Sequence, residues 1–170
     1  MKRAIALLEK HNLLKIISDE LDINLEIPHI AYVEVKRPDS KAILFTNVVD
    51  RKNSKKFKEP VLMNVFCNED AVKLFIGDGD KIGSEIESLL KLKPPVTFSE
   101  KLSTLGKLFS LKNTIPKKLN KKGECQEVIK LGADAKLSDL PVLTTWEEDG
   151  GPFITMGQVY TQSLNGELKN

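Results

Sequence analysis

The chain has 170 residues, 41% hydrophobic and 29% charged, the make-up of a globular protein with enough apolar content to bury a core. Its 26 Lys and Arg nearly balance 24 Asp and Glu, and a net charge of +2 provides no overall field that would call for nucleic acid or a membrane surface. No apolar run approaches the roughly 18 to 20 residues that span a bilayer, no signal peptide or anchor is read at the start, and Cys67 and Cys125 form neither a C-x-x-C pair nor a disulfide framework, all of which points to a reducing, cytoplasmic setting.

Ala4, Ile5, Leu7 and Leu8 recur at near-helical spacing. His11 and Asn12 break that pattern before the β-rich run Leu13 to Ile17, which predicts helix, turn, strand. Pro28 suits a first helical turn and Pro38 ends the segment, which predicts a second helix over about 27–37. Ala42 to Thr46 and Val61 to Phe66 are short apolar runs, expected as core strands joined by a solvated loop over the charged stretch Arg51 to Lys58.

From Asn68 to Leu111 the pattern is helical. Start signals stand at Asn68, at Asp80 and at Ser99, and stops at Gly77 and at Pro94-Pro95. The lysine-rich stretch Lys112 to Gly123 marks a domain boundary, placing an α/β domain at residues 1–122 and a second unit at 123–170. In that second part Cys125 to Leu131 and Ile154 to Leu164 are strand-like, with Leu137 to Leu143 a turn-rich connector. Asn165-Gly166 carries the signature of a two-residue hairpin, in which both central positions need positive φ. Few residues remain to pair with the strand over 154–164, so the chain is expected to stop partway through a motif, as a piece of a longer chain or the product of a split gene.

The densest unusual segment is Trp146-Glu147-Glu148-Asp149-Gly150-Gly151-Pro152-Phe153-Ile154-Thr155-Met156-Gly157, where an acidic, glycine-rich turn leads into a strand whose small residues allow close approach by a ligand. The structural alternative is an acidic turn feeding an ordinary edge strand. No G-x-G-x-x-G and no G-x-x-x-x-G-K-[ST] occurs, so nothing argues directly for a dinucleotide fold or a triphosphatase. Glu147, Glu148 and Asp149 are contiguous and point in divergent directions, as in a solvated turn rather than a catalytic dyad. His11 and His29 lack cysteines or carboxylates at ligand spacing, which disfavours zinc. The Lys107 to Lys122 stretch lacks interleaved aromatics, so a solvated linker is preferred there to a nucleic-acid face.

The segment Lys136-Leu137-Ser138-Asp139-Leu140-Pro141-Val142-Leu143, followed by Thr145-Trp146, Glu148 to Pro152 and Ile154-Thr155-x-Gly157, closely resembles the UbiD family of decarboxylases. Leu7-Leu8-Glu9, Leu14 to Ile17, Leu25 to Ala31, Ala42 to Phe45, Pro60 to Phe66 and Cys125-Gln126-Glu127 stand in the order that family shows.

The resemblance implies an α/β (α+β) fold: a small mixed sheet with flanking helices, then the first strands of an incomplete split β-barrel that holds a flavin. It implies a carboxy-lyase acting on an aromatic or unsaturated acid such as a 4-hydroxy-3-polyprenylbenzoate in quinone biosynthesis. The cofactor would be prenylated FMN, supplied by a flavin prenyltransferase and held through Mn2+ with K+ or Na+ nearby. The implied setting is a homo-oligomer, associated peripherally with a membrane through a lipophilic substrate, with no nucleic-acid partner. Carried over by position, Thr155 lines the flavin pocket and Asn170 is a metal ligand, its amide oxygen suited to a hard cation beside phosphate. The His and Glu ligands, and the Arg and paired Glu that move the proton, are expected beyond residue 170, so this chain by itself is expected to hold no catalytic residue and to be inactive. The competing reading is a non-catalytic assembly or binding domain.

Overall fold

The computed structural model describes residues 1–91, 116, 118 and 120–169. The chain divides into two compact units, Met1–Phe75 with Lys136–Asn170, and Ile76–Ala135.

The first unit opens with α1 (Lys2–Lys10), which buries Leu8 completely. Asn12 ends it in the left-handed region (φ 57°), while Leu13 N–H bonds the Leu8 carbonyl (2.8 Å) and Asn12 N–H that of Glu9 (3.0 Å). This is the Schellman arrangement, with asparagine in the place that glycine usually takes. The turn delivers the chain into β1 (Leu14–Asp22). Next come α2 (Glu26–Val35), β2 (Ala42–Asp50), β3 (Lys55–Lys56) and β4 (Val61–Met63).

β1 and β2 are parallel, Leu14 facing Ala42 and Asp22 facing Val49, as strands joined through a crossover helix must be. The far edge of β2 is shared: β4 pairs antiparallel with its first half (Phe45 opposite Val61) and β3 with its end (Val49 opposite Lys56). The result is a four-stranded mixed sheet flanked by helices, the α+β arrangement that the sequence implied. β2 is its central strand, and its run Ala42-Ile43-Leu44-Phe45 is buried throughout, because an inner strand covered on both faces has no solvated side. Ile27 of α2 packs with Ile43, Phe45, Val48, Phe57 and Val61 to form the core.

The charged stretch 51–58 is more ordered than a solvated loop: Lys55–Lys56 turn back on β2, Asp50 accepts the Asn53 amides, and Phe57 enters the core. β4 stops at Met63, where Asn64 takes φ 55° and its side-chain amide donates to the Ala31 carbonyl (2.7 Å). Asn68 caps α3 (Glu69–Ile76) as expected, its Oδ1 accepting the Ala71 N–H at 2.9 Å.

In the second unit, α4 (Gly79–Leu90) follows Gly77 at φ 95°. Its cap is Asp78, two residues ahead of the expected Asp80: Asp78 Oδ1 accepts the N–H groups of Asp80 (3.1 Å) and Lys81 (3.4 Å). A capping oxygen must precede the turn whose orphan donors it satisfies, and Asp80 lies inside that turn. The Ser99 start and the Pro94-Pro95 stop lie outside the described residues. Cys125 to Leu131, expected as a strand, holds a 3-10 turn at Glu124–Gln126 in which the Gln126 side chain accepts the Gly123 N–H (2.9 Å).

Ile154 to Leu164 is likewise not a strand. A strand exists by exchanging hydrogen bonds with a neighbour, and here a single bridge joins Gln162 to Lys169. The Asn-Gly hairpin forms in a different version from the expected one. Gly166 N–H bonds the Ser163 carbonyl (2.9 Å), the positive φ falls on Gly166 (74°), and Ser163 N–H reaches the Leu168 carbonyl (2.9 Å). That is a type I turn with a left-handed glycine inside a four-residue loop, Leu164 to Glu167, instead of a two-residue one.

Candidate functional site

The segment from Lys136 to Gly157 returns to the sheet of the first unit, and contacts remote in sequence hold it there. Lys55, from β3, donates to the Ser138 carbonyl and pairs with Asp139 Oδ1 at 3.3 Å, ahead of Leu143, which packs on the core. Thr144 then lies parallel to the chain just beyond β1: Thr144 N–H bonds the Ile23 carbonyl (3.2 Å) and Leu25 N–H the Thr144 carbonyl (3.1 Å). Leu25 sits at φ 70°, ψ −36°, with Glu26 N–H bonded to the Asn24 carbonyl (2.9 Å), a three-residue γ-turn of the strained hand.

The acidic, glycine-rich turn is built by its own residues. Asp149 N–H bonds the Trp146 carbonyl (3.2 Å) while its carboxylate accepts the Trp146 N–H (2.9 Å). Gly151 takes φ 136°, and Phe153 N–H closes back on the Leu143 carbonyl (3.1 Å). Asp149 is therefore committed to holding the turn, whereas Glu147 and Glu148 project into solvent as a solvated turn would have them.

Between this segment and the sheet lies a cavity of about 480 Å³, walled by Ile23, Phe57, Leu140, Val142, Phe153 and Ile154. Asp50 and Asn53 are among its polar members, and the Asp50 carboxylate is already engaged by Asn53 (3.0 Å to its N–H, 2.7 Å to its Nδ2). Such a space can take an apolar group; its walls bring no free acid and base together, so it suits binding better than proton transfer.

A separate ion pair joins Glu26 of α2 to Arg51, just past β2. Arg51 binds Glu26 Oε1 and the Glu20 carbonyl (3.3 Å), and Glu26 Oε2 accepts the Asp22 N–H at 2.8 Å. The Arg51 guanidinium, with help from that amide, holds the Glu26 carboxyl below the usual carboxylate range. No local signal in the sequence joins these residues, or Lys55 to Asp139; each pair meets only through the sheet. Elsewhere, burial pushes the Cys67 thiol up, which makes it an ordinary half-buried thiol rather than an activated one.

Thr155 is exposed in a turn directly after Ile154. Asn170 lies outside the described residues. His11 ends α1 and His29 is exposed on α2. Among the described residues, no three His, Cys, Asp or Glu side chains converge where they could hold a metal ion. A divalent ion beside a flavin phosphate would therefore draw at least part of its ligand set from outside the described residues. Among the same residues, no helix is long and apolar enough to cross a membrane.

Comparison with known proteins places this architecture. Residues 5–90 match the 3-octaprenyl-4-hydroxybenzoate carboxy-lyase N-terminal domain, and residues 117–170 match the Rift-related domain of the same enzymes. An uncharacterized protein of Helicobacter pylori (strain ATCC 700392 / 26695) is 41% identical over 174 residues, covering 100% of this chain and 28% of that protein. An uncharacterized protein of Aquifex aeolicus (strain VF5) is 37% identical over 166 residues, 96% of this chain and 32% of its own length. The chain thus spans between a quarter and a third of the length of the curated relatives it matches. With the N-terminal and Rift-related models met in order along one chain, the protein belongs to the UbiD family and corresponds to its amino-terminal portion.

Proposed function

We propose that the chain is the amino-terminal part of a decarboxylase acting on an aromatic or unsaturated acid of the 4-hydroxy-3-polyprenylbenzoate kind, with prenylated FMN and Mn2+ as cofactors of the whole protein. The observation that carries the reading is the ordered match to both carboxy-lyase domains. On this reading residues 1–122 are the α/β domain, 123–170 open the flavin domain, and Thr155 and Asn170 are this chain's contributions to the flavin and metal site. Loss of CO2 leaves a carbanion-like centre that a conjugated cofactor delocalises when bound, and a positioned acid must then supply a proton. On this reading the acid and its partners come from beyond residue 170, and the 170-residue chain by itself is inactive.

The test is a titration of prenylated FMN with Mn2+ against this chain and against a chain of the relatives' full length, followed by a decarboxylation assay. Binding and turnover by the longer chain alone support the proposal. Failure of both, with folded protein, leaves an assembly domain as the reading.

A further inference from the structure

A second cavity, of about 460 Å³, opens where α2 meets the acidic turn, and its walls have a different chemistry. Tyr32 and Trp146 stand nearly perpendicular, ring centroids 5.5 Å apart at 77°, and make two aromatic walls. Glu147 and Glu148 line the rim, and among the described residues no ion pair joins either of them. Leu25, held in its strained γ-turn and bonded to Thr144, lines the same cavity beside Thr145 and so ties the helix to the turn that carries Trp146. Asp149 fixes that turn from within, so the two glutamates stay at the rim rather than folding into it.

Faces of aromatic rings attract cations through their quadrupole, and flanking carboxylates add direct charge pairing. One ring already does this: the Lys36 ammonium lies 4.9 Å from the Tyr32 centroid, and Lys36 is not a wall of the cavity. An anion would be repelled by the two carboxylates, with His29 the one basic side chain on the wall, and a neutral group would draw no charge pairing from them. We infer that this cavity is a binding site for an organic cation, a guanidinium or alkylammonium group seated against Tyr32 and Trp146 and paired with Glu147 and Glu148. That group could belong to a free small molecule or to an arginine or lysine side chain of a protein segment, and the two sources separate by experiment.

Trp146 is the chain's single tryptophan, so its emission reports the site directly. The 170-residue chain is titrated with N-ethylguanidinium, with choline, with a blocked arginine tetrapeptide, and with their neutral counterparts N-ethylurea, 3,3-dimethylbutanol and the matching citrulline tetrapeptide. The cations are expected to change the emission at concentrations at least ten-fold below their neutral counterparts. Higher salt should weaken them, and Glu147→Gln with Glu148→Gln should weaken them ten-fold or more at an unchanged melting temperature. An arginine tetrapeptide ten-fold tighter than N-ethylguanidinium assigns the site to a protein segment; equal affinities assign it to a free cation. No response to any cation, neutral isosteres that match the cations, or a double variant that binds as well as the native chain overturns the inference. Should the double variant fold poorly, Glu147→Gln alone, read by the ring resonances of Tyr32, serves the same comparison.

Discussion

Replacing Leu143 by alanine tests whether the family-bearing segment is held as a separable flap on the sheet. Leu143 is half-buried and packs against the core formed by Ile27, Ile43 and Phe45. Full burial of a leucine contributes about 1.5–3 kcal/mol, so the share of this part-buried side chain, taken as about two thirds, is about 1–2 kcal/mol. Apart from the Lys55 to Asp139 pair and the Tyr32–Trp146 ring contact elsewhere along the segment, its attachments include the two backbone hydrogen bonds between Thr144 and the chain at Ile23 and Leu25. At a net 0.5–1.5 kcal/mol each, these are roughly as strong together as the leucine. Removing 1–2 kcal/mol from so small a sum should raise the detached population about 5- to 30-fold. The amides of Leu25 and Thr144 should then exchange with deuterium about 5- to 30-fold faster, and the Trp146 emission should lose its contact with Tyr32. Amides along β2 should exchange at their native rate, since its hydrogen bonds run to β1, β3 and β4. Equal acceleration at Phe45 and at Thr144 would refute the reasoning, because Leu143 would then be part of the global core; unchanged exchange at Thr144 would refute it from the other side.

Phe45→Ala should cost about 3–5 kcal/mol in a urea titration, because Phe45 is 1% exposed at the centre of the inner strand and its removal leaves a cavity between α2 and the sheet. Asn68→Ala should cost about 1–2 kcal/mol, since Oδ1 caps α3 and Nδ2 donates to the Ser40 carbonyl at 2.8 Å, whereas Asn68→Asp, which keeps the cap, should cost less in the same titration. Glu26 titrates below its ordinary value of 4.5 in the fold, so its contribution is complete above that pH and fades as pH falls through the lower folded-state value. The pair with Arg51 is half-exposed and screened, so Glu26→Gln should lose no more than about 0.5 kcal/mol at pH 7 and flatten the acid limb of stability. A steeper acid limb in the variant would contradict the assignment.

Local pattern and local chemistry were enough for several features. The helix, turn and strand over the first 22 residues, the buried strand at Ala42 and the cap at Asn68 follow from periodicity, an uninterrupted apolar run and a side chain that bonds its own neighbours. The family likeness was legible for a related reason, since the order of short motifs survives in the one-dimensional record. Features that depend on a partner were not. Ile154 to Leu164 reads as a strand by composition and yet forms none here, because a ladder requires a second strand at the right register. Asp149 adjoins Glu147 and Glu148 in sequence; only the folded turn separates the carboxylate that closes the backbone from the two that face solvent. Tyr32 and Trp146, like Lys55 and Asp139 or Glu26 and Arg51, lie far apart in sequence and meet because the sheet returns them to one place. Each element with a local cause, and the family, can be read from the linear order of residues. Which distant side chains share a cavity cannot, because that depends on strand pairing and docking rather than on any residue's neighbours in the chain.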